Sequence, residues 1–400
     1  MKKVVVLGLG RMGKAILNQL LQVSKETSKS LEIFIYDIDS QKEKEITEKN
    51  ENINSIRKYG DNLIEALNKL KPNLIINATT FTNNLYYTQI ALEIGSNYID
   101  LGQNTWTTLK QRTFDKLAKE KKIRIVPETG LAPGTINIIA SEFLEKGFES
   151  VYLYTGGLPV NKNLGGILKY AATWSIEGLI QEYTDTVVYI ENNNINFKQG
   201  LSDEIENDIK IKFRNYEIYQ RIKNFQEIEE KDGYFYVSDL EAISTSDGIS
   251  LMPFDYKCSN LEYKTLRYKG HYSVIKTLHN LGLFDEYKYI SNKSLKSITI
   301  EILENILPRT QEDIVFMKVI AKSGNEIKEF NGIVLYDERY TAMQKMTGFG
   351  AVISALGIIE FVDILKSDDY GVIMPYEIFE PKKYLSYLSK FVNFSEFNYD

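Results

Sequence analysis

Three glycines near the start of the chain have the spacing of a phosphate-binding loop. Gly8, Gly10 and Gly13 form the pattern G-x-G-x-x-G, directly after an apolar run and directly before a helical pattern. The first glycine allows a tight turn, the second lets the backbone approach a pyrophosphate, and the third lets helix and strand pack closely. N–H groups at the start of a helix attract negative charge, so we expect Arg11 and Met12 to contact the phosphates too.

An acidic residue follows at the distance that a dinucleotide site requires. Asp37 stands at the end of the second apolar run, 24 residues after Gly13. Its carboxylate can accept both ribose hydroxyls of adenosine and would repel a 2′-phosphate, which favours NAD over NADP as the cofactor. The alternative is that the glycines only serve a tight turn and that Asp37 caps a loop.

Small residues follow a later apolar run, where the nicotinamide half of a cofactor would lie. In open parallel sheets, ligands bind beyond the carboxyl ends of the strands, near the switch in strand order. Asn77, Ala78 and Thr79 occupy such an end, and we expect them to contact the cofactor. The alternative for Thr79 is that it caps the next helix.

The elements that position these residues alternate over the first 130 residues. The expected strands are Val4–Leu7, Leu31–Tyr36, Leu74–Asn77, Tyr98–Leu101 and Ile123–Val126, with helices over about 12–24, 63–70, 84–93 and 109–121. Strands this short and continuously apolar are typical of a parallel sheet covered by helices on both faces. The sequence therefore predicts an α/β Rossmann dinucleotide-binding domain.

Strand patterns dominate the second half of the chain and predict a second domain. This is expected to be an α+β domain with a mixed or antiparallel sheet, because a hairpin turn at Ser323–Asn325 joins two strand-like runs. Residues 168–174 also have a strand pattern. A long apolar helix from about Thr341 needs a sheet face to cover, so we expect it to return to the first domain. The predicted domains are 1–130 with about 341–400 for NAD binding, and 131–340 for substrate binding and dimerisation.

Composition excludes several classes of function. The chain has 400 residues, 48 basic and 54 acidic side chains and a net charge of −6, which gives no general attraction to nucleic acid or an anionic membrane. Cys258 alone cannot form an intrachain disulfide, and with His271 and His279 it cannot build the usual zinc sites, so no metal is expected. Neither a secretory signal nor an apolar run of bilayer length is evident, which predicts a cytoplasmic protein.

Six segments together resemble the saccharopine dehydrogenase family, and within it the lysine 6-dehydrogenase branch. They are GLGRMG at the start, PETGLAPGTINIIA at 127–140, YTGGLP at 154–159, IEGLIQEY at 176–183, TLRYKGH at 265–271 and MTGFGAVISALGI at 346–358. The resemblance implies a dinucleotide domain joined to a domain that binds an amino acid and forms a homodimer. It also implies that a cleft is lined by Glu128, Gly130, Gly156, Gly157, Arg267 and His271. Glu128-Thr129 departs from the Asp-Cys pair that is common there, which weakens any transfer of substrate identity.

These residue types suit the oxidation of an amine. The reaction needs a base with a pKa near the working pH, and the ordinary pKa of histidine lies there. His271 follows Gly270 at the expected start of a helix, which predicts a position at a cleft edge; Glu128 is the alternative base. Arg267 has a planar fork suited to a substrate carboxylate. The structural alternatives are a helix cap for His271 and an ion pair for Arg267.

The resulting hypothesis is an NAD-dependent enzyme that oxidatively deaminates a lysine-like side-chain amine of an amino acid or related small amine. One alternative is reductive condensation of an amine with an aldehyde, as in saccharopine or carboxynorspermidine dehydrogenases. The other is a non-catalytic protein that senses a dinucleotide, because fold does not fix function.

Overall fold

The chain forms two compact units in the computed structural model. The structure describes residues 1–26, 31–60, 62–102, 104–392 and 394. The first unit combines Met1–Ser141 with Gln344–Phe391, and the second is built mainly from Glu142–Met343. The first unit is therefore formed by two separate segments of the sequence.

The N-terminal segment alternates strands and helices. Its strands are β1 (Lys2–Leu7), β2 (Leu31–Tyr36), β3 (Ile53–Ser55), β4 (Leu74–Asn77), β5 (Asn97–Asp100) and β6 (Arg124–Val126). Its helices are α1 (Arg11–Glu26), α2 (Ser40–Lys49), α3 (Leu63–Leu70), α4 (Asn84–Ile94), α5 (Thr105–Arg112), α6 (Asp115–Lys121) and α7 (Thr135–Glu145).

Strands predominate in the middle of the chain. They are β7 (Ser150–Pro159), β8 (Thr186–Glu191), β9 (Asn194–Gln199), β10 (Glu206–Phe213), β11 (Ile228–Lys231), β12 (Tyr234–Ser244), β13 (Asn260–Tyr268), β14 (Tyr289–Ile290), β15 (Lys293–Ser294), β16 (Asp313–Ser323) and β17 (Glu326–Leu335). The helices are α8 (Ile176–Thr184), α9 (Tyr216–Ile222), α10 (Met252–Asp255), α11 (His271–Asn280) and α12 (Leu295–Ile306).

The C-terminal segment is mainly helical. A π-helical turn, Gln344–Phe349, runs into α13 (Gly350–Ile358), and β18 (Gly371–Val372), α14 (Pro375–Ile378) and α15 (Pro381–Leu388) follow. Every residue of α13 is buried, because this apolar helix packs against β4, β5 and α1. Its sequence has no polar face, which is typical of a helix enclosed on all sides.

The first unit contains a parallel sheet in the order β18-β6-β5-β4-β1-β2-β3. Its strands are buried on both faces because helices cover both. The order reverses between β1 and β4, where Leu7 lies beside Asn77 on one side and Tyr36 on the other. The carboxyl ends of β1, β2 and β4 therefore meet at one edge, and the loops that leave them are neighbours.

The second unit contains a mixed sheet in the order β10-β12-β13-β7-β16-β17. β7 is parallel to β13 and antiparallel to β16, whereas β12 is antiparallel to β13. Large aromatic residues fill the core on one side, among them Tyr183, Tyr268 and Phe316. The two sheets confirm the predicted fold class, a Rossmann-type α/β unit with a second α+β unit.

Some predicted elements are right and others are wrong. The hairpin at Ser323–Asn325 is confirmed, since Ser323 pairs with Glu326. The predicted helix over 109–121 is wrong: α5 ends at Arg112 and α6 begins at Asp115, with two residues between them. The predicted strand over 168–174 is also wrong, because Gly166–Leu168 forms a 3₁₀ turn and Lys169 is left-handed, with φ 48°.

Candidate functional site

The glycine-rich loop is shaped by contacts that exclude side chains. Gly8 has φ +88°, and its N–H donates to the Tyr36 carbonyl at 2.8 Å. A Cβ at Gly13 would collide with the Gly8 carbonyl oxygen, so helix and strand approach here only without a side chain. A Cβ at Gly10 would have no atom within 4 Å and would project into open space. The loop is therefore open at the position where a pyrophosphate must approach the backbone.

The loop leads into the first turn of α1, which begins at Arg11. The Lys14 N–H donates to the Gly10 carbonyl at 3.0 Å, which is the helix's first ladder bond. The preceding N–H groups, including that of Met12, are not part of this ladder, and such groups attract anions. The geometry fits a dinucleotide diphosphate.

Asp37 is tied to the glycine-rich loop. Its Oδ2 accepts the Leu9 N–H at 2.7 Å, and its Oδ1 accepts the Asp39 N–H at 2.9 Å. Lys42 Nζ lies 3.7 Å from Oδ1. Each carboxylate oxygen has a further lone pair, so both can still accept a ribose hydroxyl. Asp37 thus orients the loop and keeps acceptor capacity for a ribose.

A cation that sequence reasoning missed lies beside Asp37. Arg57 Nη2 donates to the Asp37 carbonyl at 2.7 Å, Nε donates to Glu43 Oε1 at 2.9 Å, and the guanidinium lies 4.6 Å from the Tyr36 ring centre. Arg57 follows β3, a three-residue strand with no clear sequence pattern. No signal in the sequence pointed to it.

Asn77 is the last residue of β4, and its side chain contacts the loop that follows. Its Nδ2 donates to Asn84 Oδ1 at 2.9 Å, and its Oδ1 accepts the Thr79 N–H at 3.1 Å and the Thr79 hydroxyl at 2.6 Å. The side chain is buried and shapes the loop. Ala78 and Thr79 lie against Gly8, where an added Cβ would come within 2.9 Å of both.

Asp100 organises the loop that contains Glu128. Its Oδ1 accepts the Glu128 N–H at 3.0 Å and the Gly102 N–H at 2.9 Å, and its Oδ2 accepts Gln111 Nε2 at 2.7 Å. Burial raises the pKa of Asp100. Glu128 has φ +63°, is buried, and accepts the Thr108 hydroxyl at 2.7 Å. Asp100 was not among the predicted site residues, although it ends a strand.

Gly130 closes the same loop. Its carbonyl accepts the Thr135 N–H at 2.9 Å, and a Cβ at Gly134 would collide with it. Gly130, Glu128, Asp37 and the glycine-rich loop all follow strands of one parallel sheet. The structure therefore brings these predicted residues to the carboxyl edge of the first unit.

The remaining predicted residues lie in the second unit. Gly156 and Gly157 are part of β7, where an added Cβ would come within 2.6 Å of the Leu266 carbonyl oxygen and 2.5 Å of Met343 Sδ, respectively. Packing against backbone therefore excludes a side chain at Gly156, whereas at Gly157 the Met343 side chain would have to move.

Arg267 is buried in β13, and each nitrogen of its guanidinium donates one hydrogen bond to the protein. Nε donates to Tyr183 Oη at 2.9 Å, Nη1 to the Leu266 carbonyl at 2.9 Å, and Nη2 to Glu182 Oε1 at 2.5 Å. The side chain is 2% exposed. The structure thus shows the ion pair that was the structural alternative for this residue.

His271 begins α11 but does not lie at the cleft edge expected from the sequence. The residue is 1% exposed. Nδ1 lies 2.7 Å from the Leu168 carbonyl oxygen, which can only accept, so Nδ1 carries the proton. Nε2 therefore accepts from Tyr183 Oη, 3.0 Å away. Burial, and secondarily Arg267, lowers the pKa of His271 to about 3, so the ring is neutral at neutral pH.

Glu182 was missed as a site residue. It lies in the segment IEGLIQEY, which was singled out for its family resemblance alone. Burial raises the pKa of Glu182 to about 7; Arg267 opposes this shift, and Asp247 adds to it. No local pattern marks Glu182, because its setting depends on Arg267, 85 positions away in the sequence.

The described residues contain neither a cluster of metal ligands nor a membrane-spanning helix. In the part of the chain that the structure describes, no group of three or more His, Cys, Asp or Glu side chains is arranged to hold a metal ion. Among the same residues, none of the helices has the length and apolar character needed to cross a bilayer.

Two family models match consecutive parts of the chain. The Saccharopine dehydrogenase NADP binding domain matches residues 4–126, and the Saccharopine dehydrogenase C-terminal domain matches residues 130–393. The first match identifies the N-terminal segment as a nicotinamide-dinucleotide-binding domain. The second alone spans more than half of the chain.

Individual relatives are more distant. The chain is 25% identical to the mitochondrial alpha-aminoadipic semialdehyde synthase of Bos taurus over 202 residues, 48% of this chain and 21% of that protein. The protein of that name from Rattus norvegicus is 25% identical over 195 residues, 46% of this chain and 19% of the relative. The chain spans about a fifth of the length of these relatives.

Solved structures show the same fold. Apo saccharopine dehydrogenase (L-Glu forming) from Saccharomyces cerevisiae matches with a TM-score of 0.67 and 13% identity, covering 98% of this chain and 99% of that chain. Homospermidine synthase from Legionella pneumophila, in complex with NAD, matches with a TM-score of 0.59 and 13% identity, covering 99% and 91%. With both family models in order along the sequence, the chain belongs to the saccharopine dehydrogenase family.

Proposed function

We propose that the protein is an NAD-dependent oxidoreductase that acts on a C–N bond of an amino acid or related amine. The observation that carries the proposal is the open glycine-rich loop of a family dinucleotide domain, held to Asp37 by the Leu9 N–H. Gly8, Gly10 and Gly13 would hold the diphosphate, and Asp37 the adenosine ribose. The bound dinucleotide supplies a hydride acceptor, and the chain's own residues must bind and deprotonate the amine.

The preference for NAD rests on Asp37. A carboxylate at this position accepts ribose hydroxyls and repels a 2′-phosphate. Arg57 is a candidate partner for such a phosphate, but its Nε and Nη2 already donate to Glu43 and to the Asp37 carbonyl. A competition assay that compares NAD with NADP tests this preference directly.

Oxidative deamination of a lysine-like side-chain amine is the first candidate reaction. Condensation of an amine with an aldehyde would need cations for a second carboxylated substrate. In the second unit, Arg267 pairs with Glu182, Lys264 donates to Glu206 and Lys269 donates to Asp208. Lys169 donates to the Lys269 carbonyl. Because these cations are already engaged, a single amino-acid substrate is favoured.

Reductive condensation is the second candidate. The observation that favours it is the family membership, together with the names of the structural neighbours, a saccharopine dehydrogenase and a homospermidine synthase. In this reaction an amine and an aldehyde form an imine that is reduced. The two reactions share an imine intermediate. In deamination, hydride loss forms the imine and water hydrolyses it, whereas in condensation the amine and the aldehyde form the imine and a hydride from the reduced cofactor reduces it.

The contacts of His271 and Glu128 bear on which of these two predicted bases could accept a proton. His271 has a pKa of about 3 and both ring nitrogens engaged, which favours a positioning role. Glu128 is buried, and its Oε1 accepts the Thr108 hydroxyl. We propose that Glu128 lies near the nicotinamide end of the cofactor, because its loop follows a strand of the dinucleotide-binding sheet.

A substrate screen separates the candidates. In one arm, purified protein is given NAD or NADP with a panel of amino acids and polyamines, and ammonia release is measured. In the other arm, it is given NADH or NADPH with the same amines and an aldehyde, and amine–aldehyde coupling is measured. Deamination predicts NADH formation with equimolar ammonia from a lysine-like amine. Formation of coupling products without release of ammonia would indicate condensation and contradict deamination. Dinucleotide binding with no turnover of any amine would support the non-catalytic alternative and contradict an enzyme.

We also propose that the protein is a homodimer, as the resemblance implies for the family. Light scattering coupled to gel filtration tests this: a mass of twice 46.1 kDa is expected, and a monomer at high concentration would contradict it.

A further inference from the structure

Glu43 is a buried carboxylate in the first turn of α2 that is bonded to the main chain of Asp37. The residue is 2% exposed. Its Oε1 accepts the Asp37 N–H at 2.9 Å and Arg57 Nε at 2.9 Å, and its Oε2 accepts the Ser55 hydroxyl at 2.6 Å. Burying a carboxylate is costly unless hydrogen bonds and a cation compensate it, and Glu43 has both. Glu43 is therefore held next to the residue that we propose binds the ribose.

Ser55 and Arg57 complete a ring of hydrogen bonds with Glu43. The Ser55 hydroxyl accepts the Arg57 N–H at 3.2 Å while it donates to Glu43. The three residues come from α2, from the end of β3 and from the 3₁₀ turn Ile56–Tyr59. All of them belong to the first unit. The ring therefore fixes the position of Arg57 within the dinucleotide-binding unit itself.

The Arg57 guanidinium reaches the main chain of Asp37. Its Nη2 donates to the Asp37 carbonyl at 2.7 Å, and its Cζ lies 4.6 Å from the centre of the Tyr36 ring. Within the described ranges of the chain, no hydrogen bond uses Arg57 Nη1, and the side chain is 37% exposed. The carbonyl and the carboxylate of one residue lie only a few ångströms apart. A rotation of the Arg57 side chain would therefore bring its charge to a 2′-phosphate on a ribose held by Asp37.

The cations around Asp37 are paired with carboxylates. Lys42 Nζ lies 3.7 Å from Asp37 Oδ1 and 3.8 Å from Asp39 Oδ2, so its charge is shared between two acidic side chains. Arg57 Nε lies 2.9 Å from Glu43 Oε1. Opposite charges at such distances compensate each other. A 2′-phosphate would thus meet the carboxylate of Asp37, while the charge of Arg57 is compensated by Glu43.

From these contacts we infer that Glu43 is a second determinant of cofactor choice, which withholds Arg57 from the 2′-phosphate of NADP. The inference rests on the proposed function and deepens it, because it assigns the preference for NAD to two carboxylates. Asp37 repels the phosphate directly, whereas Glu43 binds the guanidinium that would otherwise attract it. Glu43 acts through Arg57 and Asp37 and is therefore a positioning residue.

Equilibrium titration of Glu43→Gln with NADH and NADPH tests this role. The amide keeps an oxygen for the Asp37 N–H but removes the charge that holds Arg57. We expect the affinity for NADPH to rise about 10-fold relative to that for NADH, which corresponds to about 1.4 kcal/mol, close to one hydrogen bond between charged groups. The preference should not reverse, because Asp37 keeps its carboxylate. The matched control is Glu45→Gln, which removes the same charge from an exposed position of α2 and should leave the affinity ratio unchanged.

Arg57→Gln, made in two backgrounds, identifies the cation. The new amide can still donate to Glu43, so the buried carboxylate keeps a partner. In Glu43→Gln, the second substitution should abolish the gain in NADPH affinity. In the wild-type background it should change the NADPH-to-NADH affinity ratio by less than about 2-fold, because Glu43 already withholds the guanidinium. Thermal melts show whether each variant is folded.

Three results would overturn the inference: an affinity ratio in Glu43→Gln equal to that of wild type, the same shift in Glu45→Gln, or a gain that persists without Arg57. If Glu43→Gln does not fold, the wild-type background decides. A loss of NADPH affinity of about 10-fold or more in Arg57→Gln would mean that Arg57 already binds the phosphate, and would also overturn the inference. A wild type that prefers NADPH, with a ratio unchanged by Arg57→Gln, would instead overturn the proposed preference for NAD alone.

Discussion

Replacing His271 by asparagine should change how stability depends on pH. The folded-state pKa of His271 is about 3, against 6.5 for an ordinary histidine, because the ring is buried and lies near Arg267. A depressed folded-state pKa contributes stability that is present above pH 6.5 and lost as the pH falls toward 3. At about 1.4 kcal/mol per pH unit, the loss is about 3 kcal/mol by about pH 4.5 and about 5 kcal/mol over the whole window.

The quantity to measure is the difference in free energy of unfolding between wild type and His271→Asn. It should shrink by about 3 kcal/mol between about pH 7 and about pH 4.5, because only the wild type must bury an imidazole that water would protonate. Urea unfolding followed by hydrogen exchange of peptides from β13 and α11 isolates the second unit. His279→Asn, on the same helix, is the control and should lose stability with acid as wild type does. If the difference in free energy of unfolding between wild type and His271→Asn stayed constant with pH, His271 would not be a buried neutral histidine.

Four further substitutions test the cofactor loop and the buried hydrogen bonds. Asp37→Ala should lower the affinity for NAD about 10- to 100-fold and shift the NAD-to-NADP affinity ratio toward NADP, because it removes charged hydrogen-bond acceptors. An unchanged affinity ratio in equilibrium titrations would exclude Asp37 from ribose binding. Gly10→Ala should lose dinucleotide binding but keep its stability, whereas Gly13→Ala should lose binding and stability, because only the Cβ added at Gly13 collides with backbone atoms. NADH fluorescence measures the binding and thermal melts measure the stability. Equal melting temperatures for the two variants would contradict this prediction. Tyr183→Phe should lower the free energy of unfolding by about 1–3 kcal/mol, because Arg267 Nε loses its acceptor and His271 Nε2 loses its donor, while NADH binding is retained. An unchanged midpoint of chemical denaturation would contradict this pair of hydrogen bonds.

The strands of the first unit could be predicted because each is an unbroken apolar run. Leu31–Tyr36 and Leu74–Asn77 have the bounds expected from sequence. β3 has only three residues, Ile53–Ser55, and its pairing with β2 comes from tertiary contact that no local pattern records. The strand predicted over 168–174 is wrong because the β-branched and aromatic residues of this run do not reveal the turn at Gly165–Lys169, which contains left-handed residues and overlaps the start of the run.

The positions of the candidate site residues could be predicted from the sequence where they depend on the local backbone alone. The glycine-rich loop and Asp37 are set by spacing along one strand–helix unit, so sequence alone places them. The setting of His271 depends on Tyr183 and Leu168, which lie about 90 to 100 positions away, and its burial could not be read from its neighbours. Glu182 became a candidate only through its pairing with Arg267, which is 85 positions distant.

Given the proposed role of Asp37, its hydrogen bond from the Leu9 N–H couples the choice of cofactor to the strength of cofactor binding. A change at Asp37 that admits a 2′-phosphate also releases the loop that holds the diphosphate. A mutational path from the proposed NAD preference to NADP use would therefore pass through weak binding of both cofactors, unless a new acceptor for the Leu9 N–H appears first. Engineering of this chain toward NADP should begin by supplying that acceptor, and only then add a cation for the phosphate.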